Sequence, residues 1–125
     1  MSNYLETELF DHVLRNASFT SPTTVYIALF TDDPTDADSG TEVSGNNYAR
    51  QAVAFDAPSN GVGSNTSLET FPTASGSWGT ISHVGLYDAL TTGNLLFHSP
   101  LDASKTIATD DVFKINAGNL TVTLA

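Results

Sequence analysis

The feature that most constrains this chain is a change of hydrophobic period at Thr23. Over residues 3–15 the apolar side chains recur every three or four positions: Leu5, Leu9 and Val13 stand at i, i+4 and i+8, and Tyr4, Phe10 and Leu14 widen the face. At 3.6 residues per turn these positions share one side of a helix, so the spacing predicts an amphipathic α-helix. Asn3 followed by Glu6 has the form of a capping box, and Asn16 suits a left-handed stop. Glu6 and Glu8 sit near the positive end of the helix dipole and Arg15 near the negative end.

From Thr23 onward the period is two. In Thr23–Thr31, Val25, Ile27 and Leu29 fall on one face and Tyr26, Ala28 and Phe30 on the other. Both faces are apolar, which marks a central strand. Tyr48–Phe55 alternates again, and Ala57–Asn65 reads as Gly/Pro/Ser punctuation before a short strand that ends at Phe71-Pro72. Ser77–Tyr87 reads as a long strand, turned by Leu90–Gly93 into Asn94–Ser99. Short strands follow near Lys105–Ile107 and Asp111–Ile115, and Asn116–Asn119 reads as a second hairpin turn into Leu120–Ala125, with Leu120, Val122 and Leu124 facing the core. About seven or eight short strands at near-regular spacing predict a mainly β fold, an antiparallel β-sandwich or jelly roll with one N-terminal amphipathic α-helix. No linker or repeat divides the chain, so residues 1–125 are expected to form a single β-sandwich domain, with the helix at 3–15 and strands over 23–125.

Composition narrows the partners. Four basic residues against 14 acidic ones give a formal charge of -10. Arg15, Arg50, Lys105 and Lys114 are scattered, so phosphate neutralisation is poorly served and no nucleic acid is expected as a partner. An anionic membrane surface is disfavoured for the same reason. The N-terminus has no apolar signal region, and no apolar run approaches the ~20 residues of a membrane span. Charged residues make up only 14% of the chain, well below the roughly 25% of an average domain, so Ser, Thr, Asn and Gly must cover the surface.

The possible chemical constellations are weak. Asp32, Asp33, Asp36, Asp38 and Glu42 share one loop, and oxygen clusters of this kind attract calcium, which makes Asp32, Asp36 and Asp38 the weak metal candidates. The spacing fails the EF-hand rule: with Asp36 at position one, Thr41 stands where the turn glycine belongs. His12, His83 and His98 lack metal-ligand spacing, although His83 and His98 flank the predicted hairpin. Phe71–Ala89 gathers Trp78, Ser82, His83 and Asp88, the vocabulary of a hydrolase. Ser82 and His83 are strand neighbours, however, and should point to opposite faces. There is no nucleophile elbow, no paired-carboxylate arrangement and no phosphate loop, so no enzyme and no cofactor are expected. Interaction surface remains, with Leu5, Leu9, Phe10, Val13 and Trp78 as the interface candidates.

Six blocks carry a family resemblance: SNYLETELFDHVLRN, TVYIALFTDDPTD, NNYARQAV-F, FPTASGSWGTISHVGLYDA, GNLLFH and INAGNLTVTLA. In this order, from Ser2 to Leu124, they resemble a family of small bacteriophage virion proteins described as tail-fibre-like or structural. The resemblance implies a non-enzymatic virion component, assembled in the host cytoplasm, and brings no catalytic residues with it. Its implied partners are other virion proteins, the major capsid protein or tail proteins, and copies of itself as a dimer or trimer. Small size, the absence of a fibrous repeat and the acidic polar exterior favour a capsid decoration (cement) protein present in many copies. The alternative is a tail-fibre or tail-tip associated protein. A further alternative, a carbohydrate-binding module, would need Trp78, Tyr48 or Tyr87 exposed for stacking on sugars.

Overall fold

A computed structural model describes residues 1–124. The elements are α1 (Asn3–Leu14), β1 (Val25–Phe30), β2 (Gln51–Val53), β3 (Val62–Ser64), β4 (Glu69–Thr70), β5 (Gly79–Tyr87), β6 (Leu95–Ile107), β7 (Lys114–Ile115) and β8 (Thr121–Thr123). A four-stranded antiparallel sheet in the order β2-β1-β5-β6 forms one layer. Two antiparallel ribbons, β3-β8 and β4-β7, form the second. The fold is mainly β and antiparallel with one N-terminal helix, as the change of period predicts.

The layers meet over Ile27, Leu29, Val53, Phe71, Trp78, Ile81, Val84, Leu86, Ile107 and Phe113, with Ile115, Leu120 and Val122 packed from the ribbons. Ala28, Phe30, Tyr87 and Leu95 form a smaller cluster on the other side. β1 is thus buried on both faces, which its doubly apolar pattern requires. Gly85 lies within the smaller cluster. A Cβ there would stand 2.9 Å from both Leu95 Cδ1 and Phe30 Cε2. Gly→Ala changes often stabilise by restricting the unfolded chain. Here overpacking of a filled cluster outweighs that gain, so Gly85→Ala is expected to destabilise by about 1–2 kcal/mol in urea unfolding.

Several expectations are corrected. β6 is one 13-residue strand where two short strands were predicted. It lies at the sheet edge, where Pro100 is tolerated and, with Asp102 and Lys105, discourages strand addition. The β5–β6 register slips between Ile81 and His83, so Ile81 shares a cluster with Val84 and Leu86, whereas simple alternation groups it with His83 and Tyr87. At that irregularity Ser82 Oγ and His83 Nδ1 lie 2.9 Å apart, a contact that regular alternation forbids. Residues 116–119 are not a hairpin turn, since β7 pairs with β4 and β8 with β3. They wrap around the buried Asn65, whose Nδ2 donates to the Asn116 carbonyl and whose Oδ1 accepts from Leu120 N. The region 57–65 holds β3 and a tight turn at Asn60-Gly61, with φ of 51° and 79° and reciprocal Ser59–Val62 backbone bonds.

Candidate interaction surface

One buried cation organises the loop end of the sheet. The Arg50 side chain is 7% exposed. Its Nε and Nη2 donate to the two carboxylate oxygens of Glu42 at 2.9 and 2.8 Å, and Nη1 donates to the carbonyls of Ala89 and Thr92 at 2.8 and 2.7 Å. The guanidinium carbon lies 3.8 Å from the centre of the Tyr87 ring, a cation–π stack. Tyr48 donates its hydroxyl to Glu42 and accepts from Leu29 N, and Tyr87 donates to Asp38. Burial pushes the Tyr48 phenol well above its usual range, and the hydrogen bond to the Glu42 carboxylate adds to that shift. Tyr87 is raised likewise, by burial and then by Asp38. Burial opposes the charge on Arg50, but the bonds and charge of Glu42 outweigh it and its pKa is raised. These groups therefore stay in fixed protonation states and clamp the 32–47 and 88–94 loops to β1 and β5.

The acidic loop uses its carboxylates internally. Asp32 accepts from Thr41 N and Oγ1, and Asp33 accepts from Thr35 N. Asp36 meets His98 Nε2 at 2.7 Å, and Asp38 serves Tyr87. Asp32, Asp36 and Asp38 thus take separate partners. Among the described residues no three histidine, aspartate or glutamate side chains gather where a metal ion could sit. His98 is opposite Gly85 and His83 is opposite Pro100, so the two histidines are not directly opposed across the hairpin.

His98 holds the Asp36 carboxyl below its ordinary 3.8 by hydrogen bond and charge. Asp36 therefore binds its proton less readily folded than unfolded, and its contribution is complete above the ordinary carboxylate range and lost as pH falls through the lowered value. Acid unfolding followed by circular dichroism should show Asp36→Asn less stable at neutral pH and less sensitive to pH below about 4 than the parent chain.

The N-terminus is tied to the same region. Ser2 caps α1, its hydroxyl accepting from Leu5 N and donating to the Leu95 carbonyl. Ser2 N donates to the Leu96 carbonyl and Asn3 N to that of Asp36. The cap is Ser2, in place of the predicted Asn3, because β6 offers Ser2 a buried carbonyl that the sequence alone does not reveal. Asn16 does stop the helix in the left-handed region, with φ 58°.

α1 is anchored through its N-terminal half: Leu5 is buried and Leu9 half-buried. Phe10, Val13 and Leu14 are 58%, 70% and 67% exposed. At spacing i, i+3, i+4 they form one apolar stripe. Of the interface candidates, Phe10 and Val13 thus lie on the surface, Leu9 straddles it and Leu5 serves the chain's own packing. Trp78 is only 4% exposed, donates Nε1–H to the Asn46 carbonyl at 2.9 Å and meets Tyr48 edge-on at 5.4 Å between ring centres. It is a core residue, correcting its placement among the interface candidates. Tyr48 stacks on Phe71 and Tyr87 on Phe30, so the three aromatics do not form the exposed line that sugar stacking requires.

A second apolar feature went unread in the sequence. Val25, Phe55, Pro58, Phe97, Val122 and Leu124 line a groove of about 250 Å³ between the four-stranded sheet and the β3-β8 ribbon. The Asn60-Gly61 turn shapes its rim, where Leu124 N donates to the Gly61 carbonyl. Asn-Gly between alternating apolar residues is the strongest short hairpin signal and could have located this rim.

A family model described as podophage GP4 fiber I protein gp80 matches residues 1–123. The chain belongs to this family. Comparison with the curated proteins gives no match. As a member of the fiber I protein gp80 family, it is a bacteriophage structural protein and a component of the virion. The description names a fibre protein, which favours the tail-fibre alternative over the capsid decoration role expected from size and surface composition. Small size and an acidic exterior suit many docked proteins and do not discriminate between shell and tail.

Proposed function

We propose that the chain is a non-enzymatic structural subunit of the phage tail-fibre apparatus, a single folded unit that binds other fibre or tail proteins. The observation that carries this reading is the match of residues 1–123 to a fibre protein family. The layout of the molecule supports it. The loop end is fixed by Arg50, and the N-terminal helix leaves the body with an apolar stripe available to a neighbour. Quantitative mass spectrometry of purified virions, with immunogold labelling, tests the assignment. A low copy number with label confined to the tail is expected. Hundreds of copies with label spread over the capsid would overturn it.

A further inference from the structure

Two unpartnered apolar features stand on one chain, and their shapes are opposite. The stripe of Phe10, Val13 and Leu14 is convex, projecting from the C-terminal part of a helix whose N-terminal part is held to the body. The groove of Val25, Phe55, Pro58, Phe97, Val122 and Leu124 is concave, and its volume of about 250 Å³ accommodates protruding side chains of that kind. An exposed apolar patch that matches a pocket elsewhere on the same molecule makes a head-to-tail contact between copies.

We propose that the groove receives helix α1 of a second copy of this chain. The charges agree. Arg15 follows the stripe at the end of α1, two-thirds of its side chain exposed, where it pairs with Asp11 one turn away. Asp56 is exposed and lines the groove. A docked helix brings the Arg15 of one copy toward the Asp56 of the other, which offsets part of the repulsion between two chains of charge -10. The β6 edge of the sheet competes poorly for a second copy, because Pro100, Asp102 and Lys105 obstruct strand pairing along it. The contact is heterologous: each copy presents a free helix on one side and a free groove on the other. It therefore builds a ring or an open row, a geometry that suits a fibre component.

Sedimentation velocity of the full chain across a concentration series tests this, with circular dichroism to confirm folding. The parent chain is expected to give concentration-dependent species heavier than a monomer. Phe10→Glu removes the helix contact and Leu124→Glu the groove contact, and each alone is expected to be a folded monomer. Mixed, they should form a one-to-one dimer and nothing larger, since one retains a groove and the other a helix. If Leu124→Glu disturbs folding, Asp56→Arg serves in its place, with Arg15→Glu as the restoring partner. A parent chain that remains monomeric at all concentrations overturns the proposal. So does a groove variant that associates as the parent does, because that result means helix pairs with helix. Both results leave the tail-fibre reading intact, since virion labelling decides that separately.

Discussion

Replacing Arg50 with alanine is expected to lower the unfolding free energy by about 3 kcal/mol, measured by urea denaturation at neutral pH. The substitution deletes the bidentate partner of Glu42 and the donor to the Ala89 and Thr92 carbonyls, and it uncovers the Tyr87 ring. Removing one member of a buried ion pair typically costs about 3–5 kcal/mol, because the remaining charge is stranded. The lower end applies here: the Glu42 side chain keeps 24% of its surface in water and still accepts from the Tyr48 hydroxyl. A double-mutant cycle separates this account from simple loss of packing. In a Glu42→Gln background no carboxylate is stranded, so Arg50→Ala should cost about 1–2 kcal/mol less than in the parent chain. Strict additivity of the two substitutions would show that the ion pair is not what holds the loops. Arg50→Lys should recover only part of the stability, because one ammonium cannot reproduce the forked contacts.

Arg50 also shows where sequence reading stops. Periodicity reports which faces are apolar, so α1, the doubly buried β1 and the long β5 were legible. It is silent on a lone arginine in an alternating segment, which looks the same whether it faces water or reaches across to the carbonyls of Ala89 and Thr92, about forty residues on. Ser2 was missed for the same reason, since its cap is completed by β6 from the far side of the chain. Asn116–Asn119 carried a hairpin signal that Asn65 overrides, drawing the loop around a buried amide. The groove could have been approached through Asn60-Gly61, but its walls come from five separate segments and only the fold brings them together. The stripe on α1 was half legible. The apolar face was plain in the spacing, whereas its exposure beyond Leu9 depends on how little of the helix the sheet covers.

Trp78 supplies the second large effect and distinguishes a core residue from a binding anchor. Its ring fills the core between Tyr48 and the strands, and its N–H joins Ser75 N in donating to the Asn46 carbonyl. Trp78→Ala is expected to destabilise by about 3–5 kcal/mol, the range for deleting a buried large aromatic side chain. Trp78→Phe keeps most of the apolar contact but loses the indole donor. It should cost about 1 kcal/mol, the low end for a lost buried hydrogen bond, because Ser75 N still satisfies that carbonyl. Trp78 is the only tryptophan in the chain, so its fluorescence reports on this site alone. Iodide should quench it weakly in the folded protein and strongly in urea, with the change tracking the unfolding transition. Efficient quenching in the native state, or a Trp78→Ala variant as stable as the parent, would return Trp78 to the surface and reopen a binding role for Phe71–Ala89. A buried Trp78 is not open to a partner, whereas the stripe on α1 and the groove beside β8 are.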